Sequence, residues 1–280
     1  MSARPDLEPT RALAWLYSRD PQRTVLAALS GVEAEIGASL APGLEHAVAH
    51  ARLAWWEQEC QRAATGTAEH PLTQQLQRLF SGTARDALKG LRGFVDAATW
   101  DLANATFQTR RELAAYCERW SAALVQPWAA SALGASPGAR ADLRAFGGAL
   151  RELELMCALS ADARRGRVRI PLEELEAAGV APEELARSPG SGALAELVRA
   201  QHLRARVALA HSANALPATE QPPLRALLVW ATLARERSLR AVAALPRSTL
   251  TGDHHGPLDG WRAWRAARRA DSGRFVLPAD

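Results

Sequence analysis

Four arginines stand close together in the second half of the chain: Arg164, Arg165, Arg167 and Arg169. A guanidinium donates hydrogen bonds in a planar fork that matches the oxygens of a phosphate or a carboxylate. The cluster therefore predicts one of two environments. Either it contacts a diphosphate or an anionic lipid, or it lies in a solvated loop. In the loop it would pair with the acidic residues that follow, Glu173, Glu174 or Glu176.

Acidic side chains that could hold a divalent cation occur in two regions. Glu33 and Glu35 are two positions apart, so on a helix their side chains diverge by about 200° and cannot both face one ion. Asp162 stands just before the arginines, and the nearby Glu152 and Glu154 are again two positions apart. Because Mg²⁺ needs several oxygen ligands around one point, both regions offer too few.

A pair of histidines also has metal-ligand spacing. His46 and His50 share a helix face at i, i+4. The glutamate of a His-Glu-x-x-His motif is missing, and only Glu57 and His70 are near enough in sequence to complete a site. A surface pair is the favoured interpretation. Signatures of a Ser-His-Asp triad or a glycine-rich phosphate loop are absent from the sequence.

The segment 260–270 combines tryptophan with arginine. If it is helical, Arg262, Arg265 and Arg269 line one face, and Trp261 and Trp264 lie on an adjacent one. Such a helix can rest on an anionic membrane surface with its indole rings at the interface, or it can contact a protein partner. The alternative is that the tryptophans pack on the domain and leave the arginines in water.

The composition is that of a soluble protein with a helical bias. Of 280 residues, 48% are hydrophobic and 23% are charged, and alanine, leucine and arginine outnumber β-branched residues. A net charge of +4 is too small to predict a nucleic-acid-binding face. The three cysteines lack the spacing of a disulfide framework or zinc site, and neither a signal peptide nor a membrane span is predicted. We expect a cytoplasmic protein, or one held peripherally at the inner membrane surface.

Apolar residues recur at helical spacing almost throughout the chain, and strands are not predicted. Prolines and glycines divide the chain into segments for about eight or more helices. The predicted fold is a single-domain, all-α bundle over residues 10–245, preceded by a flexible segment, 1–9. A loop and the basic Trp/Arg helix complete the chain over residues 246–280.

Several passages, in order along the chain, resemble motifs of the squalene/phytoene synthase family. They are residues 52–57 with 70–73, 107–117, 146–150 and 163–171. The last, Ala-Arg-Arg-Gly-Arg-Val-Arg-Ile-Pro, is similar to the Ala-Arg-Arg-Gly-Arg-x-Tyr-Leu-Pro of that family. The resemblance implies the all-α isoprenoid synthase fold.

Active members of that family condense two prenyl diphosphates head to head, with Mg²⁺ held by acidic clusters on two facing helices. This chain departs from the pattern, because Ala158 and Ala161 stand at acidic positions and Cys157 at an arginine position. It thus resembles a divergent branch that lacks the aspartates and includes a mitochondrial complex I assembly factor. Residues 201–211 resemble a late helix of the same branch.

The resemblance implies a non-catalytic isoprenoid-binding or assembly-type protein that needs no cofactor. The alternative is an active, Mg²⁺-dependent prenyltransferase that joins two farnesyl or geranylgeranyl diphosphates. In that case Glu33, Glu35 and Asp162 would hold Mg²⁺. The expected diphosphate-binding residues are Arg164, Arg165 and Arg167. A third hypothesis is a regulatory or structural subunit that accompanies a true synthase.

Overall fold

The computed structural model describes residues 8–134, 140–187, 189–246 and 256–279. The α-helices of these ranges are α1 (Pro9–Leu16), α2 (Gln22–Gly37), α3 (His46–Thr65), α4 (Pro71–Leu79), α5 (Arg92–Leu102), α6 (Arg110–Ala123), α7 (Val125–Leu133), α8 (Ala141–Cys157), α9 (Leu159–Arg164), α10 (Leu172–Ala177), α11 (Gly192–Asn214), α12 (Arg225–Ala244) and α13 (Asp259–Asp271). Segments of 3₁₀ helix cover Ala38–Leu40, Gly82–Leu91 and Pro182–Ala186.

The predicted all-α class is confirmed, and the described ranges contain thirteen α-helices and no strand. Helix boundaries follow the turn residues of the sequence. Pro21 precedes α2, and Gly66 ends α3 in a left-handed conformation with φ of 96°. Helix α1 begins at Pro9, and the carboxylate of Glu8 caps it by accepting a hydrogen bond from the backbone N–H of Arg11 at 3.2 Å.

Buried apolar side chains form two clusters, a large one shared by most of the helices and a smaller one between α6, α8 and the α9–α11 region. Trp120, Trp128 and Trp230 are fully buried at the centre of the large cluster, with adjacent ring centroids 6.1 and 6.0 Å apart. Their position agrees with the ordinary role of tryptophan as core filler. Trp55, by contrast, is 38% exposed on α3.

Helix α6 lies in unusually close contact with two neighbours because glycine faces it on both sides. A Cβ added at Gly93 of α5 would stand 2.0 Å from the carbonyl oxygen of Arg119. One added at Gly147 of α8 would stand 2.0 Å from the hydroxyl of Ser121. These contacts leave no room for any side chain, so the two glycines set how closely α5 and α8 approach α6.

A buried carboxylate fixes the turn between α3 and α4. Glu59 accepts hydrogen bonds from the backbone N–H groups of Glu69 and His70, both at 2.9 Å, and from the Thr73 hydroxyl. Burial raises the pKa of this carboxyl, but the hydrogen bonds from Thr73 and His70 outweigh that effect and lower it. This carboxylate thus holds the start of α4 against α3.

The histidine pair is exposed at the start of α3, with the Nε2 atoms of His46 and His50 3.0 Å apart. Neither potential third ligand joins them. Glu57 pairs with Arg92 at 2.6 Å, and the ring of His70 packs against Trp56. The three cysteines are buried and form no disulfide within the described ranges, where no helix is long and apolar enough to cross a bilayer.

The residues after α13 form an extended tail that side chains hold by its backbone. Asn214 donates to the carbonyl of Leu277 at 3.0 Å and accepts from its N–H at 2.8 Å. Gln221 makes the same pair of bonds with Phe275, at 3.3 and 2.8 Å. The side chains of Phe275 and Leu277 are buried, so this segment is part of the packed structure. Sequence analysis predicted helix α13 and missed the tail.

A buried histidine should make the fold sensitive to acid. The imidazole of His202 on α11 lies 2.8 Å from the Ser238 hydroxyl, and burial together with the charge of Arg206 lowers its pKa to about 4 from 6.5. The unfolded chain therefore binds a proton as pH falls below 6.5, while the folded chain resists protonation until about pH 4. The free energy of unfolding should fall across this window.

We predict that His202→Gln flattens this pH dependence, as measured by urea unfolding at intervals between about pH 7 and pH 4. The matched control is His211→Gln, because His211 lies on the same helix and is exposed. Equal slopes for the wild type and His202→Gln would contradict the assignment.

Candidate functional site

Charged and aromatic side chains from five helices meet in the middle of the bundle. This central network consists of Arg11 (α1), Glu33 (α2), Trp120 (α6), Arg151 and Glu154 (α8) and Trp230 (α12). It contains two guanidiniums and two carboxylates, so its formal charges balance. Burying charges in a protein interior is costly unless each one is paired, and here each one is.

Arg11 connects the two carboxylates. Its Nη1 donates a short hydrogen bond to Glu33, and its Nη2 lies 3.6 Å from Oε2 of Glu154. Carboxylates from α2 and α8 thus approach one cation from different sides. The guanidinium of Arg11 is itself part of the core, because only 8% of the residue is exposed.

Two indoles also donate hydrogen bonds to these carboxylates. Trp120 donates its Nε1–H to Glu33 at 2.7 Å, and Trp230 donates to Glu154 at 3.1 Å. The same rings lie against the cations. The Cζ atom of Arg11 is 5.3 Å from the ring centroid of Trp120 and 5.0 Å from that of Trp230, and the Cζ atom of Arg151 is 4.7 Å from that of Trp120. Each ring therefore contributes both a hydrogen bond and a cation–π contact.

The electrostatics keep Glu33 ionised. Burial raises the pKa of its carboxyl, but the charges of Arg11 and Arg151 and the hydrogen bond from Trp120 outweigh this and lower it. Glu35 points to solvent from the same helix, as the two-residue spacing predicts. On α8, Glu152 pairs with Arg110 at 2.6 Å.

Asp162 and the arginine cluster form a second group of ion pairs. Asp162 accepts a hydrogen bond from Arg169 Nε at 2.8 Å. Arg169 in turn makes a two-pronged contact with Asp101 of α5, at 2.7 and 3.0 Å. Arg167 lies 3.7 Å from Asp101 and 3.9 Å from Asp162.

The expected alternative partners of the cluster were Glu173, Glu174 and Glu176, and for Arg167 and Arg169 that expectation is wrong. In the folded chain these two arginines pair with Asp101 of α5 and Asp162 of α9. Glu174 instead pairs with Arg110 and Arg204. The guanidiniums of Arg164 and Arg165 are exposed and make no ion pair within the described ranges.

Beside this group lies an open cavity of about 600 Å³, which we call the arginine pocket. Its lining includes Leu40, Pro42, Leu44 and Leu102 on the apolar side, and Asp101, Arg165 and Arg167 on the polar side. Asn104 lies at the rim with a left-handed φ of 47°, which is uncommon for a residue other than glycine. The Nε of Arg167 is buried and has no hydrogen-bond partner in the described part of the chain.

A continuous chain of contacts links the arginine pocket to the central network. The Cζ atom of Arg169 lies 5.4 Å from the ring centroid of Tyr116. The hydroxyl of Tyr116 interacts electrostatically with the guanidinium of Arg151, a member of the central network. The two groups of charged residues are therefore parts of one site, separated by a single aromatic side chain.

The carboxylates present do not fit a magnesium cluster. Glu33 is held by Arg11 and Trp120, Asp162 is held by Arg169, and Glu35 faces solvent. Within the described ranges, no group of three or more histidine, cysteine or acidic side chains converges on one point. Mg²⁺ requires several oxygen ligands with free lone pairs, and at both positions guanidiniums already occupy them.

Sequence reasoning singled out Glu33 and Asp162 and missed the residues that bind them. Arg11 is 22 positions from Glu33, and Asp101 is 68 positions from Arg169, the arginine that it shares with Asp162, so no local spacing reveals these contacts. One feature of the sequence could have indicated the role of Arg11. It is the only charged residue in the apolar helix Pro-Thr-Arg-Ala-Leu-Ala-Trp-Leu, so it is expected to be buried with the helix, and a buried cation requires a buried anion.

Removal of the bridging cation should destabilise the protein strongly. Arg11→Met leaves the carboxylates of Glu33 and Glu154 near one another without Arg11 between them, and such a loss costs roughly 3–5 kcal/mol in the free energy of unfolding. Urea denaturation measures it. The double variant Arg11→Met/Glu33→Gln should recover part of the loss, because one of the two charges is then removed.

The matched control is Lys89→Met, which removes an ion pair with Asp86 whose side chains are 70% and 61% exposed. An exposed pair contributes less than about 1 kcal/mol. Similar losses for Arg11→Met and Lys89→Met would contradict the bridging role of Arg11.

Comparisons with known proteins agree with this architecture. A crystal structure of a dehydrosqualene synthase in complex with ligand is similar over 94% of this chain and 90% of its own, with a TM-score of 0.70 and 15% sequence identity. The crystal structure of squalene synthase HpnC from Alicyclobacillus acidocaldarius is similar over 84% of this chain and 88% of its own, with a TM-score of 0.66 and 18% identity. At these identities the likeness shows the fold. The comparison with curated protein sequences gives no significant match.

Comparison of the sequence with models of protein families identifies the family. The family model for squalene/phytoene synthase matches residues 7–265, which include every member of the central network and the arginine pocket. Because the match covers most of the chain, this protein belongs to the squalene/phytoene synthase family.

Proposed function

We propose that this protein binds a prenyl diphosphate or a related anionic isoprenoid in the arginine pocket and does not condense it. One observation carries the proposal. The guanidinium of Arg11 stands between Glu33 of α2 and Glu154 of α8, so the carboxylates of these helices are bound to a fixed cation. A protein that retains a ligand site without turnover suits an assembly-type or regulatory role.

The chemistry of the arginine differs from that of a metal ion. In metal-assisted ionisation the cation acts as a Lewis acid and exchanges ligands with the departing group. A guanidinium donates hydrogen bonds in fixed directions and has no empty coordination position. Two of the donor groups of Arg11 already face Glu33 and Glu154. The central network therefore stabilises the bundle, and we assign no bond-breaking step to it.

The interior is also packed. Trp120, Trp128 and Trp230 have between 0% and 2% of their surface exposed, and they fill the core beside the central network. Two prenyl chains would have to displace these rings and the ion pairs they contact. The arginine pocket, at about 600 Å³, lies in the size range of small-molecule sites, roughly 300–1,000 Å³.

The lining of the arginine pocket matches an amphiphile with an anionic end. Leu40, Pro42 and Leu44 provide an apolar wall for a hydrocarbon chain. Arg165 and Arg167 provide donors for phosphate oxygens, and charge-assisted hydrogen bonds of this kind are among the strongest in proteins. Membership of the family makes a prenyl diphosphate the first such amphiphile to test.

Binding of farnesyl diphosphate should require Arg165 of the arginine pocket and should be independent of Mg²⁺. We predict that isothermal titration calorimetry detects binding of similar affinity with EDTA and with MgCl₂. Arg165→Ala should weaken binding at least about tenfold, since a charge-assisted hydrogen bond contributes roughly 1.5–3 kcal/mol. Farnesol, which lacks the charges, should bind much more weakly.

Arg164→Ala is the matched control, because Arg164 neighbours Arg165 in sequence, is equally exposed and does not line the pocket. It should bind farnesyl diphosphate like the wild type. Binding that appears only with Mg²⁺ and is abolished in Glu33→Gln would contradict the proposal and favour the prenyltransferase alternative. Equal losses in both arginine variants would show nonspecific attraction to the cluster.

A further inference from the structure

Helix α13 presents two faces of opposite character. Ala263, Ala266, Ala267 and Ala270 are buried, and this alanine face packs on α12. At about 100° per residue, Trp261, Arg265 and Arg268 lie on the opposite face, and Trp264 lies beside them. The helix is thus fixed to the bundle by its small residues and directs its largest side chains outward.

The outward face exposes an unusual amount of apolar surface. Trp261 and Trp264 are 51% and 52% exposed, and Leu258, just before the helix, is 52% exposed. Val276, on the tail beside α13, is 61% exposed. Scattered exposed apolar residues are normal, but a contiguous group of this size marks an interaction surface. We call α13 with residues 272–279 the tryptophan face.

The tryptophan face carries five arginines and two aspartates, and four of the arginines make no ion pair in the described part of the chain. Within the described residues, no carboxylate pairs with the guanidinium of Arg265, Arg268, Arg269 or Arg274. The acidic residues nearby are already used, since Asp259 pairs with Arg240 at 2.9 Å and Asp271 with Arg225 at 3.0 Å. The face therefore offers cations to an external anion.

Arg265 and Trp261 of α13 form a cation–π pair. The Cζ atom of Arg265 lies 4.4 Å from the ring centroid of Trp261. Next to it runs a groove of about 200 Å³, with Arg262 and Arg269 on one wall and Val276 and Pro278 on the other. Glu236 also lines the groove and pairs with Arg262 at 3.0 Å, so Arg269 is the guanidinium there that can contact a phosphate, while Val276 and Pro278 suit an attached hydrocarbon chain.

We propose that the tryptophan face docks on a bilayer that contains anionic phospholipid. Helix α13 lies in the plane of the interface, the indoles sit at headgroup depth, and the arginines contact lipid phosphates. Charge complementarity selects this occupant. Four unpaired guanidiniums spread over a helix and a tail match a continuous anionic surface, whereas a protein partner would need a carboxylate at each position.

The packing of the tail supports a preformed surface. Asn214 and Gln221 hold the backbone of residues 275–277, so Val276 stays beside the helix without an ordering cost on binding. The inference is independent of the ligand proposed for the arginine pocket. That pocket is lined by other segments, and farnesyl diphosphate binding should persist in variants of the tryptophan face.

Vesicle co-sedimentation of the full chain tests the proposal. We expect binding to vesicles that contain phosphatidylglycerol, weaker binding at high salt, and little binding to phosphatidylcholine alone. Arg265→Glu/Arg268→Glu should weaken binding about thirty-fold or more, since each arginine near such a surface contributes about 1 kcal/mol. Trp261→Ala/Trp264→Ala should also lose binding, and the fluorescence of the wild type should shift to the blue on vesicles.

Trp55→Ala is the matched control, because Trp55 is an exposed indole on α3, away from the tryptophan face. It should bind vesicles like the wild type. Equal binding to both kinds of vesicle, or unchanged binding in Trp261→Ala/Trp264→Ala, would overturn the proposal. So would self-association in solution that Trp261→Ala/Trp264→Ala abolishes, because the face would then be a contact between copies of this chain.

Discussion

The guanidinium of Arg11 lies between helices α2 and α8, and the other features of the central network depend on it. It neutralises Glu33 and Glu154, two carboxylates that would repel one another in a core with little water. Trp120 and Trp230 can then bury fully, because their N–H groups find acceptors on those same carboxylates. A single arginine thus permits five helices to pack around a charged centre.

The function that we propose follows from how charge is arranged at the two positions. At both positions the cations that pair with the carboxylates are side chains, Arg11 at one and Arg167 and Arg169 at the other. Tyr116 connects the two positions through Arg151 and Arg169. What remains open is the arginine pocket beside Asp101, where the unpaired Arg165 faces an apolar wall.

The sequence predicted the fold class well because helical periodicity and turn residues are local signals. It also singled out Glu33 and Asp162, because they are carboxylates in the two regions that could hold a divalent cation. It did not reveal that Arg11 binds Glu33 or that Asp101 binds Arg169, because these residues are far apart in sequence and residue spacing does not indicate such contacts. It placed the partners of the arginine cluster among Glu173, Glu174 and Glu176, where the folded chain brings Asp101 closer. The tail after α13 was missed for a similar reason, since Asn214 and Gln221 hold it from far along the chain.

The central claim is that a fixed guanidinium replaces the metal-binding function of the facing helices. Product formation by the purified chain from labelled farnesyl and geranylgeranyl diphosphate, with and without Mg²⁺, tests it most directly. The account predicts that neither substrate is converted under either condition, by protein shown to be folded. Mg²⁺-dependent formation of squalene, phytoene or a cyclopropyl diphosphate, lost in Asp162→Asn and Glu33→Gln that remain folded, would contradict it.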